Sequence, residues 1–201
     1  MADGPPISPN LVTAARLPLA PLAVAFMVTE TTWGYIAAAA LALLLELTDL
    51  LDGQLARRYG AVTAFGKLFD PFSDAFCRFT LFLGLLAIGV ADLWMIMLIF
   101  YRDSSISFLR TVAAVRHVVL AARPSGKLKA IVQGIGTQLI FLVLVLQAVA
   151  PQLPIPPSTP WWTMLVITLV TFGSFVDYFL GNRRILQAAW DDEPTPQPPA
   201  P

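Results

Sequence analysis

The chain has 201 residues, of which 57% are hydrophobic and 13% are charged, and its formal net charge is zero. Soluble domains carry about 25% charged residues, so this composition excludes an ordinary soluble domain and favours an integral membrane protein. The zero net charge gives no reason to expect a nucleic acid partner. The single cysteine, Cys77, excludes a disulfide within the chain.

Apolar runs recur along almost the whole chain, and about 20 apolar residues suffice for a helix to cross a lipid bilayer. They predict one all-α membrane domain over residues 1–190, with six transmembrane helices. The Pro-rich connection Pro151–Pro160 cannot continue a helix, and the Pro-rich, acidic tail Asp191–Pro201 is expected to be disordered. The predicted spans are Leu11–Val28, Trp33–Leu51, Leu68–Val90, Leu93–Leu109 with a helical extension to Ala122, Leu128–Ala150 and Trp161–Leu180.

Lysine and arginine are distributed unequally between the predicted loops. Thr29–Thr32, Gly89–Leu93 and Pro151–Pro160 contain neither, whereas the alternate connections contain several. Because basic residues stay on the cytoplasmic side, the pattern predicts a multi-pass protein of the cell (inner) membrane with both termini in the cytoplasm. The basic residues on that side are Arg57, Arg58, Lys67, Arg116, Arg123, Lys127, Lys129, Arg183 and Arg184.

Polar residues recur at one depth in five of the predicted helices. Asp49, Asp74, Arg110, Gln133 and Asp177 each lie 16–18 residues from the outer end of their span. At 1.5 Å per residue the depth is about 24–27 Å, within a hydrocarbon core of about 30 Å. Charges at that depth are costly unless they face one another or water. We therefore expect one polar cavity that is ringed by helices and open to the cytoplasm.

Four carboxylates at helical spacing lie where the second predicted span is joined to the third. Asp49 and Asp52 are three residues apart on one helix, and Asp70 and Asp74 are four apart on the next. The short connection predicts antiparallel neighbouring helices, so the four groups can converge. They could not all stay ionised in a low dielectric, and Mg²⁺ or Mn²⁺ with oxygen ligands resolves that problem. The alternative is that they lie at solvated helix ends and pair with nearby basic residues.

Small residues and an arginine are interleaved with these aspartates. Gly53, Ala56 and Gly66 leave room for a nucleotide against the backbone, and Arg57 supplies positive charge for phosphate. The whole pattern over Asp49–Asp74, D-x2-D-G-x2-A-R-x8-G-x3-D-x3-D, resembles that of the CDP-alcohol phosphatidyltransferase family at every defined position. The six-helix layout extends the resemblance over most of the chain.

The resemblance implies a role for each motif residue. Asp74 is expected to act as general base and also to touch metal, whereas the first three aspartates bind two Mg²⁺ or Mn²⁺ ions and the diphosphate of CDP-diacylglycerol. The acceptor oxygen then attacks the phosphorus that bears the lipid, and CMP leaves. Family members are often homodimers, so a homodimer is expected. The implied metal ligands are Asp49, Asp52, Asp70 and Asp74, and the implied nucleotide-binding residues are Asp49, Asp52, Gly53, Ala56, Arg57, Gly66 and Asp70.

Basic residues near the proposed cavity bear on the acceptor alcohol. Arg110 lies at the depth of the aspartates and Lys127 at the mouth of the next helix, so both are predicted to bind a phosphate on the acceptor. Arg123 and Lys129 are expected to be ordinary cytoplasmic anchors. Two further ion pairs are expected inside the helices, between the neighbours Arg102 and Asp103 and between Glu46 and Arg78.

Three segments outside the motif resemble the phosphatidylglycerophosphate synthase branch of the family, which implies glycerol 3-phosphate as the acceptor. They are Pro9–Arg16, Leu109–Arg110 and Ser125–Lys129. The segment Phe69–Ala75 and Ala130 depart from that branch, so inositol phosphate or serine stays open as the acceptor. A cation-transport protein is a further alternative, although it leaves the spacing of the small residues unexplained and no internal repeat supports it.

Overall fold

The structure is a computed structural model that describes residues 9–59, 64–115 and 123–190. Within these ranges, the described residues form six helices and the turns that join them, which confirms the all-α prediction and the number of helices. Side chains are outside the description at residues 9–12, 50–59, 64–65, 67–68, 115, 184–186 and 188–190. The helices are α1 (Pro9–Met27), α2 (Thr32–Tyr59), α3 (Ala64–Ala87), α4 (Leu93–Val115), α5 (Pro124–Val149) and α6 (Thr159–Trp190).

Several helices are longer than the apolar runs that predicted them. The α2 helix continues from Leu51 to Tyr59, and α6 continues from Leu180 to Trp190. Hydropathy marks the apolar part of a helix, whereas the backbone stays helical through the polar turns that follow it. The aspartate motif therefore lies on two helical segments. The predicted extension of α4 from residue 116 to Ala122 and the tail Asp191–Pro201 lie outside the described residues.

The helices contact one another in a ring whose order is α1, α2, α5, α6, α4 and α3. In the described residues, α2 and α3 contact each other only slightly while α1 packs against both. The side chains of residues 50–59 lie outside the description, so the predicted convergence of α2 and α3 stays a prediction. Small residues allow the close approach of α1: Ala20 and Ala23 of α1 are fully buried. On α3, a Cβ added to Gly84 would lie 2.5 Å from Met27 Cε. Residues of α1 therefore stand between the two helices of the aspartate motif.

Large apolar side chains cover much of the outer surface. Trp33 is 80% exposed, and Phe108 and Ile135 are each 67% exposed. Soluble monomers rarely expose apolar surface on this scale, whereas lipid would cover it. By length and composition, two of the described helical segments, Pro124–Val149 and Thr159–Arg183, could cross a membrane. Charged residues interrupt the middle of α3 and α4, so hydropathy alone supports fewer spans than the six predicted.

Candidate active site

Two of the motif aspartates are bonded to arginines. Arg16 of α1, whose side chain is 3% exposed, donates from Nη1 to Asp49 Oδ1 at 2.8 Å, and its Nη2 lies 3.9 Å from Asp74 Oδ1. Arg78, one turn beyond Asp74 on α3, donates from Nη2 to the same Oδ1 at 2.8 Å. A guanidinium from α1 thus connects the carboxylates of α2 and α3.

The third described aspartate of the motif, Asp70, has a hydroxyl partner on α1. Thr13 Oγ1 donates to Asp70 Oδ1 at 3.1 Å. Two further hydrogen bonds hold α1 against α3, from Ser73 Oγ to the Thr13 carbonyl at 3.2 Å and from Cys77 Sγ to the Arg16 carbonyl at 3.5 Å. The register of α1 against α3 therefore fixes which carboxylate receives which partner.

The remaining motif residues are only partly described. Asp52, Gly53, Ala56 and Arg57 lie on the helical backbone of α2, but their side chains are outside the described residues. Gly66 lies in the first turn of α3 and is buried. Among the described residues, no group of three His, Cys, Asp or Glu side chains is placed to hold a metal ion. The four-carboxylate metal site, with the nucleotide site around it, stays a prediction.

The described aspartates nevertheless have the chemistry that a hard divalent cation requires. The contacts described for Asp49, Asp70 and Asp74 all fall on Oδ1. The Oδ2 atom of each carboxylate can then bind a metal while Oδ1 keeps its protein partner. Carboxylate oxygens are the ligands that Mg²⁺ and Mn²⁺ prefer, so the residues present fit such ions.

A small cavity, lined in part by Asp74, lies between α1, α2, α3 and α5. Its volume is about 20 Å³, which is enough for one water molecule but not for a nucleotide. The wide cavity open to the cytoplasm therefore stays a prediction. The polar residues that line the small cavity are Arg16, Glu46, Asp74, Arg78, Thr137 and Gln138.

The predicted Glu46–Arg78 ion pair is only partly realised. Arg78 and Asp74 both act on the Glu46 carboxylate through their charges, but the hydrogen-bonded partner of Arg78 is Asp74. A Cβ added to Gly134 of α5 would lie 2.6 Å from Glu46 Oε1. A glycine at this position lets α5 pack closely against the carboxylate of α2.

A second set of charges joins α4, α5 and α6. The expected Arg102–Asp103 ion pair is confirmed, with Arg102 Nη1 at 2.6 Å from Asp103 Oδ1. Arg102 Nη2 also donates to Ser174 Oγ at 2.9 Å. The expectation that Lys129 is a surface anchor is wrong, because its side chain is 12% exposed and its Nζ donates to Asp103 Oδ2 at 3.0 Å. Lys129 faces inward because a carboxylate of α4 compensates its charge.

Arg123, which is expected to be an ordinary cytoplasmic anchor, has a carboxylate partner that the sequence did not predict. Its Nε and Nη2 donate to the two carboxylate oxygens of Asp177 at 2.6 Å each, and Ser125 Oγ donates to the same carboxylate. The hydrogen bonds to Asp177 raise the pKa of the Arg123 guanidinium above its ordinary value. A Cβ at Gly181 would overlap this guanidinium. Asp177 therefore fastens the start of α5 to α6.

The two predicted acceptor-binding residues, Arg110 and Lys127, are both exposed. Lys127 and Lys129 are two residues apart, which turns their side chains about 200° away from each other on the helix. Lys129 therefore faces Asp103 while Lys127 faces away from it. The acceptor role of Arg110 and Lys127 stays a prediction.

Reasoning from the sequence did not assign Thr13, Arg16 or Arg78 to the site, although the structure places all three on motif aspartates. A signal was available for Arg16, which is the only charged residue of α1. A lone cation in an apolar helix needs an anionic partner. No comparable signal identified Thr13, because its partner lies 57 residues away in the chain.

Six helices, an exposed apolar surface and a site in which buried guanidinium groups bond partly exposed carboxylates together define an α-helical, membrane-associated protein. The chain belongs to the CDP-alcohol phosphatidyltransferase family, whose model matches residues 6–173. Because the chain belongs to an enzyme family, we set aside the alternative that it is a cation-transport protein.

Three relatives share one name, CDP-diacylglycerol–glycerol-3-phosphate 3-phosphatidyltransferase. The Bacillus subtilis protein is 32% identical over 146 residues, covering 67% of this chain and 76% of the relative. The Rickettsia typhi protein is 31% identical over 134 residues, covering 67% and 75%. The Treponema pallidum protein is 39% identical over 94 residues, covering 47% of this chain and 44% of the relative, so that match spans less than half of either protein.

Proposed function

We propose that this protein transfers the phosphatidyl group of CDP-diacylglycerol to glycerol 3-phosphate, which gives phosphatidylglycerophosphate and CMP in phospholipid biosynthesis. The observation that carries the proposal is the family match over residues 6–173, joined to relatives whose names state this reaction. The family match supports the type of reaction, and the names of the relatives support glycerol 3-phosphate as the acceptor.

The proposed metal site comprises Asp49, Asp52, Asp70 and Asp74 with two Mg²⁺ or Mn²⁺ ions. Metal held by these residues would neutralise the diphosphate and polarise its phosphoryl oxygens. The support from the structure is that protein donors bond Oδ1 of three of these carboxylates, so their other oxygen is held in a fixed direction. The proposed nucleotide site adds Gly53, Ala56, Arg57 and Gly66 to the first three aspartates.

Asp74 is the proposed general base. It takes the proton of the acceptor hydroxyl, the hydroxyl oxygen forms a bond to the phosphorus that bears the lipid, and the bond from that phosphorus to CMP breaks. Its bond to Arg78 at 2.8 Å supports this role, because the hydrogen bond fixes the orientation of the carboxylate. Arg110 and Lys127 are proposed to bind the phosphate of the acceptor.

The proposed setting is a homodimer in the cell (inner) membrane, with six membrane-crossing helices and with both termini and the active site cytoplasmic. The exposed apolar side chains and the unequal loop charges support the membrane location and the orientation, whereas the homodimer rests on the family resemblance alone. In a Cys77→Ser background, an impermeant thiol reagent outside the cell should label a cysteine placed at Ser158 but not one placed at Ser125. Labelling at Ser125 but not at Ser158 would show that the chain has the opposite orientation.

The activity is tested on the purified protein in detergent micelles. Labelled CDP-diacylglycerol is offered with glycerol 3-phosphate, inositol phosphate or serine, and both CMP and the lipid product are measured with and without Mg²⁺ or Mn²⁺. We expect metal-dependent CMP release with glycerol 3-phosphate. CMP release with another alcohol only would overturn glycerol 3-phosphate as the acceptor. The absence of CMP release with every alcohol would overturn the proposed reaction.

A further inference from the structure

Arg16 and Arg78 each bond a motif aspartate through one nitrogen while another buried nitrogen has no partner. Arg16 bonds Asp49 through Nη1, and Arg78 bonds Asp74 through Nη2. Among the described residues, Arg16 Nε and Arg78 Nη1 are buried and have no hydrogen-bond partner. An unpaired charged donor in a buried position is costly, so these two nitrogens indicate that an acceptor binds beside them.

The small cavity beside these arginines has room for that acceptor. Both arginines line it, and so does Glu46 of α2. Its volume of about 20 Å³ admits one water molecule. The charges of both arginines act on the Glu46 carboxylate, yet none of the described hydrogen bonds or ion pairs joins Glu46 to either of them. A bound water can connect these groups, because it both accepts and donates hydrogen bonds.

We propose that Glu46 is a positioning residue for Asp74 and that it acts through one water molecule bound in this cavity. The water accepts from Arg78 Nη1 and Arg16 Nε and donates to the Glu46 carboxylate. That arrangement gives the water about three hydrogen bonds, the usual number for a buried water. Both terminal nitrogens of Arg78 are then fixed, one by Asp74 and one by the water. The Asp74 carboxylate therefore keeps a constant direction toward the acceptor hydroxyl.

The packing of α5 against α2 supports this role for Glu46. A Cβ added to Gly134 would lie 2.6 Å from Glu46 Oε1, so a glycine at this position leaves the carboxylate the room that it occupies. Gln138, one turn further along α5, lines the same cavity and donates from Nε2 to the Ala42 carbonyl at 3.1 Å. Residues of α5 thus hold α2 where Glu46 lines the cavity.

The first test replaces Glu46 in the purified protein and measures kcat and KM by CMP release, so it rests on the proposed function. Glu46→Leu removes the acceptor and should lower kcat about tenfold, while KM for both substrates stays within about twofold. Glu46→Gln keeps an acceptor oxygen and should recover most of the loss. An unchanged kcat in Glu46→Leu, even with a lower thermal midpoint, would overturn the positioning role. A Glu46→Gln protein as slow as Glu46→Leu would overturn the water bridge, because charge alone would then explain the loss.

A second test displaces the carboxylate without altering it. The Cβ of Gly134→Ala would meet Glu46 Oε1, so kcat should fall as it does in Glu46→Leu. Gly136→Ala is the matched control on α5, because its Cβ would lie 2.7 Å from Cδ1 of Ile167, a residue that does not line the cavity. It should lower the thermal midpoint and leave kcat unchanged. Equal kcat values in the two glycine variants would contradict a role for the position of the Glu46 carboxylate.

A crystal structure of the unaltered protein that resolves ordered water tests the bridge without a variant or an activity assay. It should show one water within about 3.2 Å of Arg78 Nη1, Arg16 Nε and a Glu46 oxygen. A direct bond from Glu46 to either arginine, or a cavity without water, would overturn the bridge. The two proposals can therefore fail independently. A bound water without phosphatidyl transfer would keep the water site and overturn the proposed reaction, whereas transfer that is unaffected by Glu46→Leu would keep the reaction and overturn the positioning role.

Discussion

Replacing Arg16 with methionine tests whether α1 belongs to the active site. The guanidinium is almost fully buried and donates to Asp49 at 2.8 Å, with Asp74 at 3.9 Å. Methionine keeps much of the side-chain volume but removes the charge, so two carboxylates from different helices lose a shared cation. Arg16→Lys keeps the charge but not the fork that spans both carboxylates, so it should recover only part of the loss.

The stability lost in Arg16→Met depends on how exposed the carboxylates of Asp49 and Asp74 are. Removing one member of a fully buried ion pair costs about 3–5 kcal/mol. Here the side chains of Asp49 and Asp74 are 37% and 39% exposed, so water can replace part of what Arg16 provides. We therefore expect Arg16→Met to lower the free energy of unfolding by about 1.5–3 kcal/mol, the range for a hydrogen bond to a charged group. The thermal midpoint should fall by several degrees.

Metal binding and catalysis should respond in opposite directions. Without Arg16 the carboxylates carry more uncompensated negative charge, so Mn²⁺ should bind more tightly, while kcat should fall because Asp49 loses the bond that orients it. Mn²⁺ titration in micelles measures the metal affinity, CMP release measures kcat, and thermal unfolding measures the stability. Arg183→Met, which removes an exposed cation of α6, is the control. An Arg16→Met protein with unchanged kcat, metal affinity and stability would refute a role for α1 in the site.

Three further outcomes test individual residues. Asp74→Asn should lower CMP release about 10²–10⁴-fold while CDP-lipid binding persists, and an active variant would exclude Asp74 as the base. Arg110→Ala should raise the acceptor KM about ten- to a hundredfold; a change in the CDP-lipid KM alone would assign Arg110 to the nucleotide site. Gly181→Ala should lower the thermal midpoint because its Cβ overlaps Arg123, whereas Gly173→Ala, with open space around it, should not; equal midpoints would contradict the Arg123 contact.

The sequence was sufficient to predict the helices and the family. Six apolar runs correspond to six helices, because apolar side chains that recur along a helix leave a long hydropathy signal. The spacing of Asp49 and Asp74 within an extended motif predicted membership of a family that the comparison confirms. Helix ends were predicted less well, since polar turns such as those after Leu180 carry no hydropathy signal.

The sequence did not predict how the helices are arranged or most of the ion pairs between different helices. Arg123 and Lys129 have the same signature as membrane anchors, a basic residue near a span, yet the structure pairs each with a carboxylate on another helix. The partners Asp177 and Asp103 are 54 and 26 residues away, so local patterns do not identify them. Loop charge gives the side of the membrane on which a residue lies but not the direction of its side chain.

The position of α1 changes how the motif itself should be understood. If α2 and α3 alone formed the site, Asp74 would keep its bond to Arg78, but Asp49 and Asp70 would lack the partners that α1 provides. Arg16 and Thr13 instead bond Asp49 and Asp70 from α1, using one oxygen of each. The protein can therefore fix the orientation of these carboxylates before a metal ion binds. The metal can then bind the second oxygen of each carboxylate. Such preorganisation favours binding because less ordering remains to be done when the ligand enters.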